Sequence, residues 1–278
     1  MIESLSLPGD PAKPNEDAFA HRGRAAVVMD GATGLGELLM PGNSDAAWVA
    51  RFGANRLMAH SDEGLTPHDA VIASLRDTEN SFVNLRRRAP AETYEIPFSS
   101  MMFVTLSESG FDALWFGDCA VLVARPGGVV ELVGDAMEKR SRESGRAAAL
   151  AAKLGESAAS AGVRDTFLPA LRATRNQMNT GRRSWCFGPD ARAADHVASA
   201  RVSAPIGTIL LLVSDGFLAL ASDYNRYDAT GLMHAARTRG LGTLGDELRE
   251  IEASDPDGTR FPRFKKSDDA TALLLRIV

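Results

Sequence analysis

Carboxylates at the ends of apolar runs are the residues of this chain whose placement could do chemistry. Ala25–Gly31 (AAVVMDG), Ala113–Cys119 (ALWFGDC) and Thr208–Gly216 (TILLLVSDG) each close on an acid, namely Asp30, Asp118 and Asp215, whereas Asp268–Val278 (DDATALLLRIV) opens on one. A short apolar run bounded by turn residues reads as a buried strand, and strand ends lie at the rim of a sheet. An antiparallel neighbour that starts on its acid meets the others at one rim. Carboxylates gathered in this way repel unless cations hold them. The five histidines (His21, His60, His68, His196 and His234) and the two cysteines (Cys119 and Cys186) lack metal-ligand spacing, which leaves oxygen donors alone. Such donors suit hard ions, so Mg2+ or Mn2+ is expected over zinc or copper. Two ions about 3.5–4 Å apart can make a bridging water acidic enough to act as the nucleophile.

The elements that must position these acids are legible in outline. The first 40 residues read as two strands joined by a turn, followed by a Gly-rich loop, GATGLGELLMPGN, beside Asp30. Asn43 or Ser44 suits the cap of a helix carrying Trp48, Val49 and Phe52 on one face. Thr66 suits the cap of a second helix, with Pro67 at its first position and Val71, Ile72, Leu75, Phe82 and Leu85 at helical spacing before Arg86, Arg87 and Arg88. Ser-Gly and Pro-Gly-Gly separators make Ser99 to Leu132 an antiparallel meander. Residues 134–183, rich in Ala, Arg, Ser and Gly, are expected to form a loosely anchored helical flap over a site. A strand over Thr208 to Ser214, a helical region between Asp228 and Glu252 interrupted by Gly240, Gly242 and Gly245, and a strand through Leu273, Leu274 and Leu275 complete the chain. Strands in two groups, each followed by helices, imply an α+β fold: a four-layer α-β-β-α sandwich of two antiparallel sheets flanked by helices, in one domain over residues 1–278.

Composition narrows the function classes. A hydrophobic fraction of 45% over 278 residues allows a sizeable core, and a net charge of -5 argues against a nucleic-acid surface dominating the molecule. No apolar stretch approaches the roughly 20 residues that span a bilayer, and MIESLSLPGD lacks a leader pattern, so the expectation is a cytoplasmic protein without a membrane partner. Cys119 and Cys186 are too few for a disulfide framework and read as buried thiols.

The order of motifs carries more than any one of them. NEDAF (Asn15 to Phe19), VVMDGATG (Val27 to Gly34), FSSMMFVTL (Phe98 to Leu106), WFGDCAVLVARPGG, LLLVSDGF (Leu210 to Phe217) and SDDAT (Ser267 to Thr271) together resemble the metal-dependent protein phosphatases of type 2C, the PPM family, in its bacterial form. The resemblance covers nearly the whole chain. It implies that Asp30 bridges two divalent ions, with the Gly31 carbonyl as a further ligand, and that Asp215 and Asp268 are the other acids of one metal site. It places Glu16 near the second metal, as a ligand or through a bound water, with Asp17 in the outer shell. Asp118 matches an acid that in some members holds a weakly bound third ion with Asp215. Asp30 and Asp215 would carry the catalysis, and the implied reaction is hydrolysis of phosphoserine or phosphothreonine in a phosphorylated protein partner. Asp268 and Asp269 compete for one role, because strand alternation aims only one of them at the cluster; family order favours Asp268.

Departures from the family pattern lie around the substrate phosphate. Members commonly place an arginine three to five residues before the first acid motif; here position 12 is Ala12 and the nearest base is Lys13, which offers a point charge where arginine offers a fork. Arg22, Arg24 or the flap arginines, among them Arg182 and Arg183, are alternative sources, and Lys13 also reads simply as a solvated loop lysine. Ala32 and Thr33 stand where eukaryotic members carry a histidine. These departures motivate an alternative, a weak or inactive relative that binds metal or a phosphorylated partner as a regulator. An aspartyl-phosphate mechanism, which MDGAT superficially fits, would need an acid where Val28 stands.

Overall fold

The computed structural model describes residues 2–137, 163–181 and 184–278, together with residues 145 and 149. Ten strands are found among them: β1 (Glu3–Leu7), β2 (Asp17–Arg22), β3 (Ala25–Gly31), β4 (Ser99–Ser107), β5 (Gly110–Phe116), β6 (Ala120–Ala124), β7 (Val130–Val133), β8 (Ala198–Ser203), β9 (Ile209–Val213) and β10 (Ala270–Arg276). They form two five-stranded sheets, ordered β1-β10-β9-β6-β7 and β2-β3-β4-β5-β8. Every neighbouring pair is antiparallel. The helices are α1 (Asp45–Asp62), α2 (Pro67–Leu85), α3 (Val163–Arg175), α4 (Asp215–Ser222), α5 (Ala229–Arg239) and α6 (Leu241–Ser254).

Alternation along the central strands divides the apolar residues into three layers of core. Ala25, Val27 and Met29 of β3 pack with Val49 and Leu57 of α1 and Val71 and Leu75 of α2. Their neighbours Ala26 and Val28 face the other way and meet Leu210, Leu212 and Leu273 of the opposite sheet. Ile209, Leu211 and Val213 of β9 turn outward against Phe217, Leu232 and Leu244 of α4, α5 and α6. The layers are therefore helix, sheet, sheet, helix, the expected α+β sandwich. Strands covered on both faces have no polar side to present, which is why β3, β9 and β10 read as apolar runs.

Local signals end the helices where the sequence provides them. The Ser44 hydroxyl accepts from Ala47 N at 3.1 Å at the start of α1, and Thr66 accepts from Asp69 N at 3.2 Å before Pro67. Asp45 binds back to the preceding loop, accepting from Leu39 N at 2.7 Å and Met40 N at 2.8 Å.

The structure departs from the sequence expectation in several elements. The first 40 residues hold three strands, because ESLSL pairs with β10 at the far side of its sheet. Gly216 to Ala221 opens a helix, α4, where the apolar run suggested only a strand and its end. Of the glycines between Asp228 and Glu252 only Gly240, at φ +83°, breaks the helix; Gly242 and Gly245 lie inside α6. A Cβ at Gly245 would stand 2.8 Å from side-chain atoms of both Leu5 and Leu7, so glycine there lets α6 press on β1. Of the segment 134–183, α3 is described; the flap reading for residues 138–162, other than 145 and 149, and for Arg182 and Arg183 falls outside the described residues. No helix among the described residues is long and apolar enough to cross a membrane.

Candidate metal centre

The acids of the two sheets come to one edge of the space between them. Asp17 and Asp30 face each other across β2 and β3, where directly opposite residues hold their Cβ atoms about 4.5–5.5 Å apart. Asp30 lies two residues beyond Val28 on the strand, and period-two alternation keeps it on the inter-sheet face. Ser100 of β4 is the next residue across that row, paired with Asp30. Its hydroxyl donates to Asp118 Oδ1 at 2.5 Å. Gly117, at φ +74°, makes room for this contact, since a Cβ there would lie 2.1 Å from the Ser100 oxygen.

The other sheet delivers Asp215 and Asp268 through one tight crossing. Ser214 N donates to the Thr271 carbonyl and Thr271 N donates to the Ser214 hydroxyl, both at 2.9 Å. Asp215 then opens α4, where the first turn favours a negative charge. A Cβ at Gly216 would stand 2.0 Å from the Asp269 carbonyl oxygen, so only glycine lets the start of α4 touch the 268–269 backbone. Arg249 Nη2 donates to the Asp268 carbonyl at 2.9 Å and also to the Leu7 and Pro8 carbonyls at 3.3 Å, tying this corner to the end of β1.

The adjacent acids 268 and 269 have different work. Asp269 accepts from Gly9 N at 2.7 Å through Oδ1 and from Glu16 N at 2.6 Å through Oδ2, so its carboxylate clasps two loops. Asp268 acts on both Asp17 and Asp30 through its charge, and its Oδ1 takes the Lys265 ammonium at 2.9 Å. Glu16 is engaged on the loop side: Thr33 donates to one of its oxygens at 2.5 Å and Ser44 to the other at 2.6 Å. Gly31 closes this corner, because a Cβ would lie 2.5 Å from the Glu16 carbonyl oxygen and 2.7 Å from that of Ala46. A cavity of about 180 Å³ adjoins it, lined by Glu16, Thr33, Gly34, Ser44, Glu95 and Pro97 among others. The Gly-rich loop is held from above by α3, whose Arg172 donates to the Leu35 carbonyl at 2.8 Å and stacks over Tyr94 at 4.7 Å.

Electrostatics single out the pair on β2 and β3. Burial, and then the charges of Asp215, Asp17, Asp118 and Asp268, push the Asp30 carboxyl well above the usual carboxylate range. Burial pushes Asp17 the same way, eased by Ser214 and reinforced by Asp215, Asp268 and Asp269. Asp17 is 4% exposed. The Ser214 hydroxyl accepts from Thr271 N at 2.9 Å and donates toward the Thr271 carbonyl at 3.5 Å, and neither Asp17 oxygen has a hydrogen-bond partner among the described residues. An unpartnered buried carboxylate costs several kcal/mol unless a cation or a proton compensates it. Cys119 next door is buried, and burial followed by the charges of Asp30 and Asp118 raises its thiol, so it offers no thiolate nucleophile.

Among the described residues no set of three or more His, Cys, Asp or Glu side chains stands in metal-ligand geometry. Asp17, Asp30, Asp215 and Asp268 act on one another electrostatically without converging on a point. Their donors are oxygens alone and one of them, Asp17, lacks a hydrogen-bond partner among the described residues, which fits a hard divalent ion. Two of the bases proposed from sequence, Lys13 and Arg22, are elsewhere, whereas Arg172 and Arg175 of the 134–183 segment reach the Gly-rich loop. Lys13 pairs with Asp10 at 3.3 Å on the surface, and Arg22 sits at the opposite end of the β2–β3 hairpin, bonded to Asp62 at 3.0 Å. Lys265 and Ser100 join the site unnamed by the sequence reading, and Thr33 and Ser44 join it in roles other than those read for them; Ser100, facing Asp30 in a predictable register, carried a signal that could have found it.

Comparison with solved structures gives the fold a name. The PPM Ser-Thr phosphatase MsPP from Mycobacterium smegmatis, crystallised with cacodylate, is similar at a TM-score of 0.58 and 15% identity, over 99% of this chain and 97% of that one. The Mycobacterium tuberculosis serine/threonine phosphatase PstP/Ppp is similar at 0.56 and 15%, over 99% and 97%. The catalytic domain of PstP in complex with two manganese ions matches at 0.54 and 15%, over the same shares. No family model and no curated protein sequence matches the chain. The two antiparallel sheets and their flanking helices are thus the fold of the PPM serine/threonine phosphatases.

Proposed function

We propose that this chain is a metal-dependent phosphoprotein phosphatase of PPM type, one domain over residues 1–278, acting on phosphoserine or phosphothreonine. The observation that carries the reading is the buried, unpartnered Asp17 carboxylate opposite Asp30, at the edge where Asp215 and Asp268 arrive. The manganese pair in the similar PstP catalytic domain supports the choice of ion. In this reading Asp30 and the Gly31 carbonyl would hold the ions together with Asp215 and Asp268, Glu16 and Asp17 would serve a second ion, and Asp118 with Asp215 would serve a third. Mg2+ or Mn2+ bound there supplies an acidified water and neutralises phosphoryl oxygens.

The chain's own residues do the remaining work. Asp269 holds the loops at Gly9 and Glu16 against each other and so sets the height of Asp268 and Asp17 relative to Asp30. Ser100 fixes the rotamer of Asp118. Thr33 and Ser44 hold Glu16 at the mouth of the cavity beside the Gly-rich loop, a polar cleft in which a phosphorylated peptide segment would lie. Chelator-treated protein should release no phosphate from a phosphothreonine peptide, and turnover should return with Mn2+ or Mg2+. Turnover undiminished by the chelator would refute the reading. Tight Mn2+ binding with no turnover on any phosphopeptide would favour the regulatory alternative, which the engagement of Lys13 by Asp10 keeps in view.

A further inference from the structure

Between α6 and β10 the chain runs without regular structure, yet it is pinned firmly. Asp255 accepts from Arg260 N and Phe261 N, each at 3.0 Å, and pairs with Arg263 at 2.7 Å. Arg249 holds the Asp268 carbonyl at the other end. This frame presents the Lys265 ammonium to the acidic edge. Lys265 Nζ donates to Asp268 Oδ1 at 2.9 Å and to Thr33 Oγ1 at 3.3 Å, while its side chain stays 42% exposed. Thr33 in turn donates to Glu16, so the lysine joins the C-terminal acid to the Gly-rich loop. Asp17 supplies the independent sign that this edge awaits positive charge: it is 4% exposed, neither of its oxygens has a hydrogen-bond partner among the described residues, and it feels Asp215 and Asp268 directly.

We propose that Lys265 is a tethered cation that shares Asp268 with the divalent ion, so that a metal must displace an ammonium already seated on its ligand. The inference rests on the metal reading of the same carboxylates. An ammonium is a compact charge with three donors on a flexible stem, well suited to sit on a carboxylate and to leave it. An ion drawn to Asp268 and the Lys265 ammonium repel each other across a few ångströms, and the exposed stem lets the lysine swing into water at small cost. Two consequences follow. The site binds metal more weakly than its acids alone would, and the metal-free chain is held together by its own cation. The release also frees the Thr33 hydroxyl from one contact, so metal arrival at Asp268 is felt on the Gly-rich loop.

The test uses the full chain stripped of metal and titrated calorimetrically with Mn2+ alone. Lys265→Met should bind Mn2+ roughly fivefold more tightly, the scale of a partly exposed ammonium–carboxylate contact, and its metal-free form should melt earlier than wild type. Lys265→Arg, which keeps the charge, and Lys266→Met, a neighbour without a contact to Asp268, should both match wild type. Lys265→Gln provides a second neutral variant should the methionine disturb folding, which circular dichroism checks. Equal or weaker Mn2+ binding by the neutral variants would overturn the proposal while leaving the metal reading intact. No Mn2+ binding by wild type or any variant would overturn both.

Discussion

Two groups of half-hidden carboxylates in this molecule behave in opposite ways. Between α1 and α2, Asp77 accepts from Arg56 at 2.6 Å and bonds His60 at 2.8 Å, and His60 reaches Glu63 at 2.8 Å with its other nitrogen. Burial raises Asp77, but hydrogen bonds from His60 and Arg56 outweigh it and leave its carboxyl below the usual range. At the edge between the sheets, Asp17 and Asp30 are raised, and the Asp17 oxygens have no hydrogen-bond partner among the described residues. The first group is complete in itself and holds two helices together. The second leaves a buried carboxylate without a hydrogen-bond partner among the described residues, and a group left unsatisfied by its own fold is where binding is to be sought.

Substitutions break the comparison most strongly at the second group. Asp30→Asn or Asp215→Asn should lower Mn2+-dependent turnover of a phosphopeptide by more than about a hundredfold, since each removes a charge from the ion site. The metal-free melting temperature of Asp30→Asn should not fall, because a like charge opposite Asp17 is relieved. Asp77→Ala should do the reverse, costing about 1–2 kcal/mol in chemical denaturation while leaving turnover of the surviving folded protein as it was. A turnover loss for Asp77→Ala matching that of Asp30→Asn would erase the distinction.

The adjacent pair at the start of β10 sharpens it. Asp269→Ala strips two backbone amides of their acceptor and should cost about 1–2 kcal/mol. Asp268→Ala should weaken Mn2+ binding by more than tenfold with a smaller change in stability. Calorimetric titration and thermal melts of the two variants, side by side, read both effects; interchange of the two phenotypes would reassign the ligand to Asp269.

The smallest effect is in pH. Because Asp17 and Asp30 are raised in the folded state, the native protein holds more protons than the unfolded chain from the ordinary carboxylate range upward, and stability falls as pH rises through that window. Asp77, being lowered, contributes stability that is present above the unfolded value and lost only as pH falls into the acid range. Metal-free protein should therefore lose melting temperature as pH is raised above the ordinary carboxylate range, and excess Mn2+ should reverse the trend, since ions compete with protons for these oxygens. A metal-free melting temperature that climbs with pH would contradict the buried-acid account.

Much of this arrangement was legible in sequence because it depends on strand ends. Apolar runs closed by Asp30, Asp118 and Asp215, and one opened by Asp268, already implied a common edge, and strands in two groups, each followed by helices, implied the four layers. What the sequence hid were contacts made by chain far away. β1 has a weak pattern of its own and exists through its pairing with β10. α4 begins with apolar residues that suit a buried strand as well as a helix. Asp269 differs from Asp268 only through amides of Gly9 and Glu16, roughly 250 positions upstream, and Lys265 looked like any lysine in a polar loop. Asp17, which the resemblance places in an outer shell, lies buried opposite Asp30 with no hydrogen-bond partner for its carboxylate among the described residues.

The most direct test is anomalous diffraction from crystals of the full chain grown with Mn2+. The account predicts two strong manganese peaks between the β2–β3 end and the β9–β10 crossing, with Asp30 shared between them, Asp215 and Asp268 on one, and the Asp17 carboxylate turned toward the pair. Featureless anomalous maps at that edge, with the four carboxylates still apart at saturating Mn2+, would contradict it.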